Sequence, residues 1–244
     1  MNLFENVHES WIPLIHSLAY KEPLVNFLSD LRETSFQPAY KKIFKVFEMP
    51  VKDVTVVVLG QDPYPRPGDA IGRAFAVPEK SKMPLVLRNI EREVYKTEGI
   101  RVLNDVNDIV DQSWKTLNHW TEQGVFLLNT SLTVKTGSAG SHMKYWEEFT
   151  NAVISFLSHE NPCVWLLWGD NAQKYGKRIQ NPLIVKGYNR VTIQEIPLDP
   201  NLNYVVPGEH PAAKSRFMSK GFSDEGFYYT NIKMEKRNLR KITW

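Results

Sequence analysis

Four short stretches of the chain are apolar at almost every position: Val54 to Gly60 (VTVVVLG), Val125 to Thr130 (VFLLNT), Cys163 to Gly169 (CVWLLWG) and Asn203 to Gly208 (NYVVPG). A strand with one face in water alternates apolar and polar positions, whereas a strand covered on both faces reads as an unbroken apolar run. Between the runs, Leu85 to Thr97 and Tyr145 to His159 space apolar residues three and four apart, as a helix does when it lays one face on a sheet. The alternation predicts an α/β fold with a central four-stranded parallel sheet flanked by helices. Three further helical patterns near the start, ESWIPLIHSL, EPLVNFLSDL and AYKKIFKVF, are punctuated by Pro13, Pro23 and Pro38 and are predicted to cover one face of that sheet. No repeat, low-complexity tract or long Gly/Ser linker interrupts the pattern, so residues 1–244 are expected to form a single domain. The least regular part is Gln180 to Asn203, rich in Asn and Pro.

Composition changes this picture little: 42% hydrophobic and 23% charged residues are ordinary for a soluble globular protein. The net charge of +3 is uninformative as a total, but its distribution is uneven. From Lys214 to Trp244 there are eight basic and three acidic residues, which gives this segment +5 and leaves −2 for the rest. A basic stretch of that kind suits a polyanion such as DNA. The single cysteine, Cys163, lies in an apolar run and reads as a buried structural thiol in a reducing compartment. The start, MNLFENVHESW, has no signal-peptide pattern, and no apolar run approaches the roughly 18 residues that span a bilayer. The expectation is a cytoplasmic protein, nuclear in a eukaryotic setting, with no membrane partner.

In an open parallel sheet, ligands bind in the crevice beyond the carboxyl ends of the strands, so chemistry should follow the apolar runs. Some familiar chemistries fail there. Gly169 to Arg178 (GDNAQKYGKR) misses the glycine spacing of a phosphate-binding loop and has arginine where Ser/Thr would hold magnesium. Pro162-Cys163 lacks the second cysteine of a zinc deaminase. The six histidines show no metal-ligand spacing, and there is no G-x-S-x-G elbow. Neither metal nor other cofactor is expected.

What remains is an ordered set of loops: Gly60-Gln61-Asp62-Pro63-Tyr64-Pro65 continuing to Gly72-Arg73-Ala74-Phe75, then LLNTSLTV, LLWGDNAQ and a late His210-Pro211. In order and in spacing from strand to loop, this set resembles the family 1 uracil-DNA glycosylases. Ser10-Trp11, HWTEQGVFLLNTSLTVKTG, YWEEFTNAVI and the closing Ile242-Thr243-Trp244 are similar to that family as well, so the resemblance covers nearly the whole chain.

The resemblance implies an enzyme that flips uracil out of single- or double-stranded DNA and hydrolyses its N-glycosidic bond, leaving an abasic site. It implies that Asp62 positions the water and stabilises a cationic sugar, and that His210 is a neutral donor to the developing anion on uracil O2. Asn129 would pair with the N3–H and O4 edge of uracil, where cytosine presents the opposite pattern. Tyr64 would exclude the thymine methyl, Phe75 would stack on the base, and Gln61 would offer backbone contacts. Pro84, Gly169, Lys214 and Ser215 fall in the loops that hold DNA.

Those DNA-holding loops depart from the family pattern. Pro65 replaces the usual histidine, Met83-Pro84-Leu85-Val86 is a reduced proline-rich loop, Asp170 replaces a serine, and Lys214 replaces the leucine that fills the gap left by the flipped base. The proline after GQDPY and the His-Pro-Ala-Ala-basic loop are similar to the poxvirus-type branch, whose members also serve in polymerase processivity complexes. Expected partners are therefore uracil-containing DNA and a proteinaceous inhibitor or replication partner, with the chain itself a monomer. A catalytically weak glycosylase-fold binding module is the competing reading, and a shifted specificity toward mismatched thymine is a narrower one that Tyr64 and Asn129 oppose.

Overall fold

The computed structural model describes residues 3–97, 113–185, 199–212 and 225–244. Of the sequence expectations, Lys214, Ser215 and the middle of the Gln180–Asn203 segment (186–198) lie outside these residues.

The strands are β1 (Phe36–Gln37), β2 (Val56–Gly60), β3 (Val125–Asn129), β4 (Val134–Lys135), β5 (Val164–Trp168), β6 (Pro182–Ile184) and β7 (Asn203–Gly208). The helices are α1 (Ile12–Ala19), α2 (Leu24–Asp30), α3 (Leu85–Thr97), α4 (Ser113–Thr116), α5 (Asn118–Thr121), α6 (Met143–Glu160), α7 (Gly169–Gln173) and α8 (Gly226–Lys236). The central sheet runs β3-β2-β5-β7-β6, all parallel, while β1 and β4 form a small antiparallel ribbon. The four apolar runs are its inner strands and one edge. The fifth strand, β6, was not legible: it is three residues long, opens on a proline and alternates exposed positions, as an edge strand does.

Each inner strand sends alternate residues to opposite faces, and both faces are covered. Val57, Leu59, Phe126, Leu128, Trp165 and Leu167 pack with α1, α2 and the Trp146, Phe149, Val153, Ile154 and Leu157 face of α6. Val56, Val58, Leu127, Leu166, Trp168 and Tyr204 pack with Leu87, Ile90 and Val94 of α3 and Phe227 and Met234 of α8. AYKKIFKVF forms two short 3-10 turns instead of an α-helix. Its buried pairs, Ile43 with Val46 and Phe44 with Phe47, are three apart, the repeat of that tighter helix.

Cys163 is a buried thiol directed at the Asn161 carbonyl oxygen (2.8 Å), and burial pushes its pKa up. Beside it, the fully buried Asn203 fastens the sheet. Its Oδ1 accepts from Cys163 N–H (2.9 Å) and Trp165 Nε1–H (2.8 Å), while its Nδ2 donates to Ser158 O (2.8 Å) and Gln180 O (2.7 Å). The last bond, with Asn203 N–H to Asn181 O (3.1 Å), closes the Gln180–Asn203 segment onto itself at its two ends. After β3 the chain crosses β2 to place β5 on its other side, and the loops after β2, β3, β5 and β7 all emerge at one end of the sheet.

Candidate active site

Parallel register brings Gly60 beside Asn129 at the ends of β2 and β3. Their loops are then joined: Thr130 N–H donates to Gly60 O (2.9 Å), and Thr130 Oγ1 (2.8 Å) and Ser131 N–H (2.9 Å) both donate to Gln61 O. Gly60 has to be glycine, because a Cβ there would collide with Asn129 Oδ1 and stand 2.8 Å from Ala74 Cβ. Asn129 is thus pressed between the first loop and the Ala74 segment. It is buried, and among the described residues no group bonds its amide.

The Ala74 segment is laid along β3 by Ala74 N–H to Leu127 O (2.9 Å). Next to it Phe75 holds a φ of 65°, a region that side chains other than glycine rarely occupy. Tyr64 O–H donates to the Phe75 carbonyl at 3.0 Å, which fixes both the strained residue and the tyrosine ring. Burial, with the Asp69 carboxylate adding to it, raises the Tyr64 pKa, so the hydroxyl stays a donor. The Phe75 ring lies 5.5 Å from that of Trp168, at 60°.

Asp62 is half-buried, and Gly140 N–H donates to its Oδ2 at 2.5 Å. Its Oδ1 has no partner among the described residues. Burial raises the Asp62 pKa and the Gly140 amide works against that rise. The Gln61 side chain accepts from Asn171 Nδ2 of α7 through Oε1 (2.7 Å) and its backbone carbonyl is taken by Thr130 and Ser131.

Across the crevice, Gly169 follows Trp168 with a φ of +80°, and a Cβ on it would stand 2.8 Å from His210 Cβ and 3.4 Å from the ring. The bare glycine is the seat of His210. Ala212 N–H donates to His210 Nδ1 (3.0 Å), so the ring proton sits on Nε2, and burial lowers the pKa and favours the neutral ring. Asn89 of α3 donates to Pro211 O (2.7 Å) and Gln173 of α7 to Gly208 O (2.9 Å), clamping this loop from both sides.

Several of the sequence-predicted residues are linked: Gly60 lies against both Asn129 and Ala74, Tyr64 bonds the backbone of Phe75, whose ring meets Trp168, and Gly169 seats His210, while Asp62 is held separately by Gly140. Gly169 belongs to this set as the support of His210. Pro84 opens α3, its carbonyl accepting from Arg88 N–H (3.0 Å), on the helix whose Asn89 clamps the His210 loop. Sequence reasoning missed Gly140, Trp168 and Asn89. The two glycines in TGSAGS were a signal of a special turn, but nothing in the chain says whose carboxylate it would reach. A concavity of about 610 Å³ lined by Asp53, Thr55, Gln123 and Gly124 lies at the other, N-terminal ends of β2 and β3, and none of the candidate catalytic or base-binding residues lines it.

The family model described as "Uracil DNA glycosylase superfamily" matches residues 47–233. The chain is 35% identical to a uracil-DNA glycosylase of Azobacteroides pseudotrichonymphae, over 98% of each chain. It is 37% identical to uracil-DNA glycosylase 1 of Listeria monocytogenes, over 85% of this chain and 82% of that one. Among solved structures, mimivirus uracil-DNA glycosylase shares the fold, with a TM-score of 0.76 at 24% identity over 100% of this chain and 89% of the other. Nearly full-length similarity to these relatives, together with a superfamily match that runs from before β2 into α8, shows that the chain belongs to the uracil-DNA glycosylase family.

Proposed function

We propose that the protein removes uracil from DNA by hydrolysing its N-glycosidic bond, with the roles below assigned to its own side chains. The observation that carries the reading is the convergence, at one end of the sheet, of an amide that no described group bonds (Asn129), a tyrosine fixed on the backbone of a phenylalanine (Tyr64, Phe75), a carboxylate with one free oxygen (Asp62) and a neutral Nε2–H donor (His210).

A flipped uracil fits this set. Asn129 Oδ1 accepts from N3–H and Nδ2 donates to O4; cytosine would leave both groups mismatched, at a cost of about 1–3 kcal/mol once the base has shut out water. Phe75 provides the face on which the base stacks, and Tyr64 fills the space that a 5-methyl group would need. As the bond from C1′ to N1 breaks, its electron pair goes to the base and charge gathers on O2, where His210 Nε2–H donates. A preorganised donor of this type is worth about 10²–10³ in rate. Asp62 stays ionised through bond cleavage, steadies the positive charge on the sugar, and uses its free Oδ1 to hold the water that adds to C1′; the proton this water loses neutralises the uracil anion. Free uracil and an abasic site result.

Gly169, Pro84, Lys214 and Ser215 are assigned to the DNA-facing loops, and Lys214 to a phosphate-reaching role in place of an apolar wedge. A mimivirus UNG variant of the same fold was solved in complex with UGI, which supports a protein inhibitor as a partner class. A binding-only module is not favoured, because the relatives that match nearly the whole chain are named uracil-DNA glycosylases. The test is release of free uracil from single- and double-stranded oligonucleotides in the presence of a chelator. The wild type is expected to be active and Asp62→Asn and His210→Ala severely impaired; an inactive wild type overturns the proposal.

A further inference from the structure

Asp62 is oriented by a backbone amide, so its aim is only as well fixed as the turn that presents Gly140. That turn joins β4 to α6 and holds two residues at positive φ, Gly137 (78°) and Gly140 (77°). At its near end, Gly137 N–H donates to Pro65 O (2.9 Å), Ser138 N–H to Lys135 O (3.0 Å) and Lys135 N–H to Ser141 Oγ (2.8 Å). At its far end stands His142, a buried histidine for which the chemistry above has no use.

His142 Nδ1 lies 3.0 Å from Thr133 Oγ1, and Trp146 Nε1–H donates to that same oxygen at 2.8 Å. All three residues are buried. With Trp146 donating into the hydroxyl oxygen, the arrangement that leaves no buried hydrogen unpaired has Thr133 O–H donating to an unprotonated Nδ1. The Phe27 ring packs edge-on against the imidazole at 5.0 Å. Burial, assisted by Lys135, lowers the His142 pKa and favours the neutral form that this bond requires.

We propose that His142 is a positioning residue for Asp62: anchored through Thr133 and Trp146, it fixes the end of the turn that aims Gly140 N–H at the carboxylate. The inference rests on Asp62 acting in its ionised form as assigned above. Titratable or charged groups stand on Asp62's own loop (Tyr64, Arg66, Asp69), on the turn (Lys135, His142), on α7 and just after it (Asp170, Lys174) and after β7 (His210). None of them is a cause of the Asp62 shift, which comes from burial and is opposed by the Gly140 amide. Loosening the turn removes that opposition, so the Asp62 pKa rises further and the acid limb of the rate profile moves to higher pH.

The experiment compares His142→Ala and His142→Asn in single-turnover uracil release from a single-stranded oligonucleotide across the acid limb, with thermal melts of each. Asn is the conservative variant because its Oδ1 takes up the place of Nδ1 and accepts from Thr133. Ala is expected to slow release by on the order of 10–100-fold at unchanged DNA affinity and to shift the limb upward, with Asn restoring both. Thr133→Val removes the anchoring hydroxyl at nearly constant volume and is expected to shift the limb in the same direction, which keeps the test open if Ala does not fold. An unmoved limb in the folded variants, or Asn no better than Ala, overturns the positioning role alone. An inactive wild type takes down the hydrolytic reading and this inference together.

Discussion

Replacing Gly169 with alanine tests whether the end of β5 serves as the seat of His210. The new Cβ would stand 2.8 Å from His210 Cβ, whereas carbon atoms in ordinary contact sit at about 3.5–4.0 Å, so roughly 1 Å has to be opened. His210 cannot swing away as a flexible side chain would, because the contact is at its Cβ and its loop is held by Asn89, Gln173 and the Ala212 amide. The backbone must therefore shift and carry Nε2 with it. A misplacement of about 1 Å costs up to ~10²-fold in rate, within the ~10²–10³ ceiling for losing the donor entirely. Alanine at a φ of +80° also destabilises the fold by about 1–2 kcal/mol, or about 2–8 °C in melting temperature for a chain of this size. Single-turnover uracil release and a thermal melt read the two effects separately. Repeating Gly169→Ala in a His210→Ala background is the sharper comparison: the stability loss should persist while most of the further rate loss disappears, since the ring is already gone. A Gly169→Ala enzyme with the wild-type rate, or a rate loss equally large in both backgrounds, would refute the seat.

Other perturbations address the remaining groups. Because burial holds the Asp62 pKa above the usual aspartate value and the ionised form is the active one, release should fall as pH drops through that raised value, and Asp62→Asn should abolish this limb along with the activity. Tyr64→Ala opens the space beside Phe75 and should allow measurable thymine release from a thymine-containing oligonucleotide, which the wild type should not show. Gly60→Ala drives a Cβ into Asn129 Oδ1 and should weaken inhibition by free uracil more than it weakens DNA affinity, measured by competition and by anisotropy. Asn203→Ala orphans three buried partners and the Gln180 carbonyl, far from the chemistry, and should cost on the order of 3–5 kcal/mol in denaturant melts, leaving the rate of the folded fraction unchanged.

The inner strands were legible because burial on both faces leaves no polar position to confuse the period. Helices α3 and α6 were legible because their apolar faces repeat at three and four. Strand β6 was not, since a three-residue edge led by proline has neither length nor pattern, and it is recruited by Asn203 rather than by its own propensity. The site shows the same division. Asp62, Tyr64, Phe75, Asn129 and His210 were singled out by the family resemblance of the loops at the strand ends, whereas the groups that contact them had no such signal. The Gly140 amide, the Trp168 ring and the Asn89 clamp reach the site from chain-distant segments, and a hydrogen bond from a backbone amide leaves no mark on residue type.

A parallel sheet has a consequence for how activity returns after denaturation. Asp62 follows one of the first strands of the sheet and His210 one of the last, and between them the chain must complete every long crossover before Gly169 can meet His210. Contacts of such wide sequence separation are the slow ones to form. Partly folded species with native-like helices would therefore be catalytically silent, and recovered uracil release would report the last ordering event of the chain rather than its collapse.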